Sequence, residues 1–93
     1  MKLASLTIEI YIPAANSLKD KRSVVKSLIE KCSYKYNISI SEVDEHEVWR
    51  RSVIGIAMIS NEYKIIEKTF QQIINYLDTI NELELMKYNI DYY

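Results

Sequence analysis

The alternation of apolar and polar residues along the chain predicts strands at both ends and in the middle. From Ala4 to Ile12 the apolar residues recur at every second position, which is typical of a strand with one buried face. The segment Ser52–Ser60 is instead apolar at almost every position, which predicts a central strand covered on both faces. A buried helix segment is the alternative, but the run is short and Gly55 lies in its middle, so we favour the strand.

Two apolar stripes at helical spacing lie between these strands and after them. The first helix is predicted to run from Leu18 to Tyr36, and Ser17 with Asp20 forms a variant capping box at its start. We expect Asn61 to cap the second helix. The first stripe consists of Leu18, Val25, Leu28, Ile29, Cys32 and Tyr36, and the second of Ile66, Phe70, Ile73, Ile74 and Leu77. Leu28 and Phe70 are expected in the core.

The remaining elements complete a βαββαβ order. Ile38 and Ile40 begin the second strand, a bulge is expected near Ser41 and Glu42, and a charged connector spans Asp44 to Arg51. Alternation around Tyr88, Ile90 and Tyr92 predicts a closing strand. Right-handed crossovers then place both helices on one face of a four-stranded antiparallel sheet, with the first and third strands central. The prediction is therefore a single ferredoxin-like α+β domain over residues 1–93.

This fold leaves one face of the third strand without a cover. One apolar set should lie on that open face, either Ile54, Ile56 and Met58 or else Val53, Ala57 and Ile59. Exposed apolar patches of this kind usually mark interfaces, so we expect a homodimer with a two-fold axis. The alternative is a monomer in which Glu9, Lys87 and Tyr11 cover the face.

Composition and charge add two constraints. The 93 residues are 48% apolar with one Gly and one Pro, which suits one compact domain. The net charge of -1 argues against a strong, purely electrostatic attraction to nucleic acid. The charges are nevertheless uneven, since the first forty residues carry seven bases and three acids. Four acids then gather in the connector region, at Glu42, Asp44, Glu45 and Glu47.

The expected cellular compartment is inferred from features that the sequence lacks. Cys32 is the only cysteine, so we expect a buried thiol and neither an internal disulfide nor a thiolate metal site. Met1 and Lys2 lead directly into strand-like alternation, unlike a signal peptide, and no apolar run approaches bilayer length. We therefore expect a cytoplasmic protein with no membrane partner.

Two stretches, Tyr11–Leu28 and Asn37–Asn61, resemble the YlxP-like family of small bacterial proteins. The shared features are a SLKxKR helix start, an N-[IV]-S-x-x-E-V stretch, a W-x-R step and a G-x-A-x-x-S-N strand end. Here Arg50 replaces the usual Gln of the W-x-R step, and Ser41 stands where Ala is usual. Family genes often lie among those for translation initiation and ribosome maturation. The resemblance therefore implies a translation-linked, RNA-binding role without an established activity.

The first helix offers the surface for such a role, because it carries six bases and only two acids. We expect contact with ribosomal RNA or the ribosome at these bases and at two arginines near the sheet end. The predicted residues are Lys19, Lys21, Arg22, Lys26, Lys35, Arg50 and Arg51. An ordinary solvated helix face is the alternative. A protein-interaction module that acts by homodimerisation or by docking to a protein partner is the second functional hypothesis.

Catalytic and cofactor chemistry has little support. Glu42, Asp44 and His46 are spaced like metal ligands on a strand, but the expected bulge spoils their alignment, so we favour a solvated acidic connector with an ordinary histidine. His46 is the only candidate base, and no glycine-rich elbow or phosphate loop accompanies it. The third strand also lacks the aromatics of an RNA-recognition motif. We expect no enzyme activity, no cofactor and no metal.

Overall fold

The computed structural model describes all residues from Met1 to Tyr93. The predicted order is confirmed. The elements are β1 (Lys2–Tyr11), α1 (Leu18–Lys35), β2 (Ser39–Asp44), β3 (Arg51–Ser60), α2 (Tyr63–Leu77) and β4 (Glu84–Tyr92). All neighbouring strands are antiparallel, in the order β2-β3-β1-β4. The protein therefore has the ferredoxin-like α+β arrangement, with β1 and β3 in the centre of the sheet.

One face of the sheet and both helices form the core. Leu6, Ile8, Ile54 and Ile56 point inward from the central strands, where Leu6 pairs with Ile56 and Ile8 with Ile54. Leu28 and Phe70 are buried against them, as predicted. Seventeen buried apolar residues make up this cluster, which includes the whole stripe of α2. Of the stripe of α1 it includes Val25, Leu28 and Cys32, while Ile29 and Tyr36 pack partly buried against it and Leu18 lies outside it. Neither α1 nor α2 combines the length and apolar character that crossing a lipid bilayer demands.

The ends of the helices follow local hydrogen bonding. The backbone N–H of Asp20 donates to Ser17 Oγ at 3.1 Å, so Ser17 caps α1 as predicted. The reciprocal bond of the box is displaced by one residue, because the Asp20 carboxylate accepts from the N–H of Asn16 at 3.0 Å and not from that of Ser17. The prediction that Asn61 caps α2 is wrong. The N-cap is Glu62, which makes no side-chain cap hydrogen bond, while Asn61 accepts from Ser60 Oγ.

Two irregularities interrupt the ladders of the sheet. The register between β2 and β3 shifts between Glu42 and Asp44, one residue beyond the expected bulge. The register between β1 and β4 shifts between Glu9 and Ile10. A bulge lets successive side chains leave strict alternation. At β2 this allows Glu42 to face the core side while Val43 contacts the opposite side of β3.

Candidate functional site

The fold leaves the face of the sheet opposite the helices uncovered. Alternation on β1 and β3 gives ten positions on it, and only two of them, Glu9 and Arg51, are charged. We call this surface the open face. Its positions on the two central strands are Leu3, Ser5, Thr7, Glu9 and Tyr11 on β1, and Arg51, Val53, Gly55, Ala57 and Ile59 on β3.

Small side chains make the middle of the open face flat. Gly55 and Ala57 lie opposite Thr7 and Ser5 in the register. A Cβ atom on Gly55 would meet Val43 Cγ1 at 2.9 Å, so the glycine makes room for the valine that leans over it. Ile59 is 59% exposed at one end of the strand. The open face is therefore apolar along β3 and polar along β1, with two open concavities of about 360 and 330 Å³ toward its edges.

The other end of the open face carries a small charge cluster. Glu9 forms ion pairs with Arg51 and, at 3.5 Å, with Lys87. The hydrogen bond from Arg51 is the main reason that the pKa of Glu9 is lowered from its ordinary value. One carboxylate against two bases leaves this end of the face with a net charge of +1.

The predicted interface set Ile54, Ile56 and Met58 lies on the wrong face. Ile54 and Ile56 are buried beneath the helices, and Met58 packs partly against the same core. The alternative set, Val53, Ala57 and Ile59, is the one that faces away from the helices. The apolar run alone could not distinguish the two sets, because both alternate correctly.

Lys21, which was predicted to contact RNA, is wholly buried instead. Its ammonium group donates to Glu42 Oε2 at 2.8 Å and to the carbonyls of Glu45 at 2.8 Å and His46 at 3.1 Å. Glu42 Oε2 also accepts from Ser52 Oγ at 2.5 Å. Lys21 thus ties α1 to β2, to the connector and, through Glu42, to β3. We call Lys21, Glu42 and Ser52 the buried clip.

The clip shifts the titration of its carboxylate and holds a strained turn. Burial raises the pKa of Glu42, but hydrogen bonds from Lys21 and Ser52 outweigh it, so the pKa is lowered overall. Glu45 has φ 63, a left-handed conformation that is uncommon outside glycine. Its carbonyl is one of the acceptors of Lys21. The clip therefore fixes the path of the connector.

The sequence contained a signal for this clip. Lys21 lies four residues before Val25 and seven before Leu28, in the middle of the apolar stripe of α1. Glu42 follows Ile38 and Ile40 at inward positions of β2. Because a buried charge needs a partner of opposite charge, a lysine on one buried face and a glutamate on another indicate a salt bridge between them.

The two arginines of the predicted RNA surface also have partners within the chain. Arg50 Nε donates to the carbonyl of Ala15 at 2.9 Å, and Arg51 pairs with Glu9 on the open face. Arg50 therefore braces the loop before α1, and Arg51 neutralises a carboxylate on the open face.

Four of the seven predicted bases remain on the helix surface. Lys19, Arg22 and Lys26 are exposed in the N-terminal half of α1. The nearest acids to Arg22 and Lys26 are Glu47 and Glu30, each 4.0 Å away. Lys35 lies apart from them in the last turn, with its ammonium 4.0 Å from the centre of the Tyr76 ring. The predicted surface is therefore divided into two groups.

The three residues spaced like metal ligands, Glu42, Asp44 and His46, do not come together in the structure. Glu42 binds Lys21 and Ser52, Asp44 Oδ1 accepts from the N–H of Glu45, and His46 Nε2 contacts the carbonyl of Glu42. No group of three or more His, Cys, Asp or Glu side chains converges as metal ligands would. Cys32 is buried in the core as expected, and burial raises the pKa of its thiol.

Comparison with known proteins places the chain in a family. The family described as "Protein of unknown function (DUF503)" matches residues 3–90. The chain is also 37% identical over 76 residues to the "Uncharacterized protein YlxP" of Bacillus subtilis (strain 168), which covers 82% of this chain and 83% of that protein. The family match, over residues 3–90, extends from β1 into β4 and so includes both the buried clip and the open face. The chain therefore belongs to the DUF503 family, to which the resemblance to YlxP-like proteins pointed.

Proposed function

We propose that the protein is a non-catalytic, cytoplasmic interaction module that works as a homodimer joined through the open face. The observation that carries this proposal is the chemistry of the two central strands. Of their ten outward positions only Glu9 and Arg51 are charged, and these two are bonded to each other. A sheet face in permanent contact with water normally alternates to polar residues, as β1 does here, whereas β3 presents apolar residues at every outward position after Arg51: Val53, Gly55, Ala57 and Ile59.

A second copy of the chain suits this face in shape. A flat surface of small residues lets another sheet approach to roughly 10 Å, as in aligned sheet packing. Strands about 4.8 Å apart and about 3.3 Å per residue give the face roughly 500–600 Å². Two copies would bury about 1,000–1,200 Å², which lies at the lower end for specific complexes. We therefore expect a dimer of modest affinity.

Charge also favours a second copy. Lys87 borders the open face on β4, and Asp91 lies on the same side of that strand four residues further on. A two-fold axis perpendicular to the strands would bring Lys87 opposite Asp91 of the other copy. An axis parallel to the strands would bring it opposite Asp44, which has the same register level on β2. Either arrangement joins opposite charges at the rim.

The oligomeric mass tests the proposal. At high micromolar concentration, light scattering should give twice the chain mass of 11.0 kDa. Ala57→Arg places a charge in the centre of the open face and should give a monomer. Ile65→Arg makes a similar change at an exposed site on α2 and should leave the dimer intact. A monomeric wild type would contradict the proposal and favour a face covered by Glu9, Lys87 and Tyr11.

A second candidate function is RNA or ribosome association in translation. It is favoured by the exposed group Lys19, Arg22 and Lys26 near the N-terminus of α1, where backbone N–H groups also attract anions. The ion pairs of Arg22 and Lys26 are exposed and at the limit of contact, so they contribute little and leave both bases available. Three bases suit a weak, shape-dependent contact rather than sequence recognition.

Charge reversal tests this candidate without disturbing the clip. Arg22→Glu with Lys26→Glu should weaken binding to ribosomal RNA fragments, and wild-type binding should fall steeply with salt. Lys64→Glu with Lys68→Glu on α2 is the matched control and should bind like wild type. Equal binding by both double variants, or none by wild type at low salt, would contradict this candidate.

A further inference from the structure

A groove between the two helices contains an unusual group of side chains. Tyr34, in the last turn of α1, is 92% exposed although it is a large aromatic residue. Lys31 and Lys35 flank it, and Tyr76 of α2 forms the opposite wall. The concave space between them measures about 460 Å³. This volume falls within the range of small-ligand sites, which is roughly 300–1,000 Å³.

The two lysines of the groove differ in their surroundings from the rest of the helix. Lys35 is held over the Tyr76 ring at 4.0 Å, a cation–π contact that orients its ammonium group. Glu30 is the only acid that lines this part of the groove, and Lys26 lies 4.0 Å from its carboxylate. The groove is therefore positive as well as aromatic.

A neighbouring concavity extends the groove along α1. It measures about 320 Å³ and shares Lys31 with the first. Half of its lining residues are apolar, namely Val24 and Leu28 on α1 and Ile80 and Leu83 beyond α2, and the other half are polar and include Glu82. A ligand longer than one aromatic ring could thus continue past Lys31 along the helix.

We propose that this groove binds a nucleotide. A base would stack on the Tyr34 ring, which has no packing partner of its own, while Lys31 and Lys35 would contact the phosphate. Stacking on an aromatic ring beside basic side chains is the common way to hold an unpaired base without sequence preference. The same chemistry is offered by a free nucleotide and by single-stranded RNA.

The proposal goes beyond dimerisation and does not depend on it. The groove lies on the helical side of the sheet, whereas the proposed dimer uses the opposite face. It also uses the C-terminal half of α1, separate from Lys19, Arg22 and Lys26. Failure at one surface is therefore distinguishable from failure at another.

Binding of a fluorescein-labelled oligoadenylate, followed by anisotropy, tests the groove. Tyr34→Ala should weaken binding by about ten-fold, within the range that loss of one stacked base produces. Tyr34→Phe keeps the ring and should bind like wild type. Lys31→Gln with Lys35→Gln should lower the slope of log affinity against log salt by about 1.4, since each phosphate contact to a single strand contributes about 0.7. Lys64→Gln with Lys68→Gln should leave the slope unchanged.

Competition with adenosine monophosphate distinguishes the two sources of the nucleotide. Displacement of the oligonucleotide by the monophosphate would support a site for free nucleotides, and displacement only by unlabelled oligonucleotide would support single-stranded RNA. Unchanged binding by Tyr34→Ala would overturn the proposal. Absence of binding by wild type at low salt would also overturn it.

Discussion

The two faces of the sheet are built from the same strands, but the helices cover one face and leave the other exposed. On the covered face, Leu6 and Ile54 meet Phe70 and the rest of a core supplied entirely by the chain itself. On the open face, Ala57 and Ile59 belong to the same strand as Ile54, and the fold provides nothing to cover them. The comparison teaches that apolar character alone does not identify the core. It identifies surfaces that need a partner, and only one of these two has its partner within the chain.

The charged groups on the two sides of the sheet differ in the same way. The buried clip satisfies every donor of Lys21 with acceptors from β2 and the connector, so it is complete within one copy. The cluster on the open face leaves Lys87 78% exposed beside Glu9. The first arrangement stabilises the fold, and the second remains free to contact another molecule.

The largest difference between the faces should appear on truncation of an apolar side chain. Phe70→Ala removes a wholly buried ring and should lower the free energy of unfolding by about 3–5 kcal/mol. Ile59→Ala on the open face should cost less than about 1 kcal/mol at a protein concentration low enough to keep the chain monomeric. Urea denaturation measures both. Similar losses for the two variants would erase the distinction between covered and open faces.

Removal of the lysine from the clip should have the next largest effect. Lys21→Met leaves the Glu42 carboxylate with only Ser52 and should cost about 3 kcal/mol, as expected for an unpaired buried charge. Lys19→Met, two residues away on the exposed side of α1, is the control and should change stability by less than about 0.5 kcal/mol. If Lys21→Met changes stability as little as Lys19→Met does, the buried clip contributes little to the stability of the fold.

A smaller effect should appear in the pH dependence of stability. The folded state lowers the pKa of Glu42, so its contribution is fully present above the ordinary value of 4.5 and is lost as pH falls through the lower folded value. Glu42→Gln should remove this contribution, so its stability should decline less than that of wild type on acidification below 4.5. Other carboxylates, including Glu9, affect both proteins alike. Parallel curves for the two proteins would show that Glu42 is not stabilised by the clip.

The fold could be predicted from the sequence because each element carries its own period. The alternation of β1 and the stripe around Phe70 both survive in the structure almost residue for residue. The start of β4 was harder to predict, since the strand begins at Glu84 and the alternation that indicated it is clear only around Tyr88, Ile90 and Tyr92. The bulge beside Glu9 hides the start of that strand, because it breaks the alternation there.

The surfaces were harder to predict for a physical reason. Counting charges treats every lysine as solvated, whereas the position of Lys21 in the apolar stripe of α1 directs it into the core. The sequence of β3 is apolar on both of its faces, so it does not show which face the helices cover. The register with β1 decides this, because β1 has only one apolar face. The aromatic groove at Tyr34 was not anticipated, because it depends on the approach of α2 to the end of α1.

Contact between copies at the open face is the central claim, and isotope-filtered NMR tests it most directly. A dimer sample mixed from ¹³C-labelled and unlabelled chains shows only those NOEs that cross between copies. The account predicts intermolecular NOEs from the methyl groups of Ala57 and Ile59 and none from Ile54, which the helices bury. Intermolecular NOEs from Ile65 without any from Ala57 or Ile59 would contradict it, as would a sample with no intermolecular NOEs at high micromolar concentration.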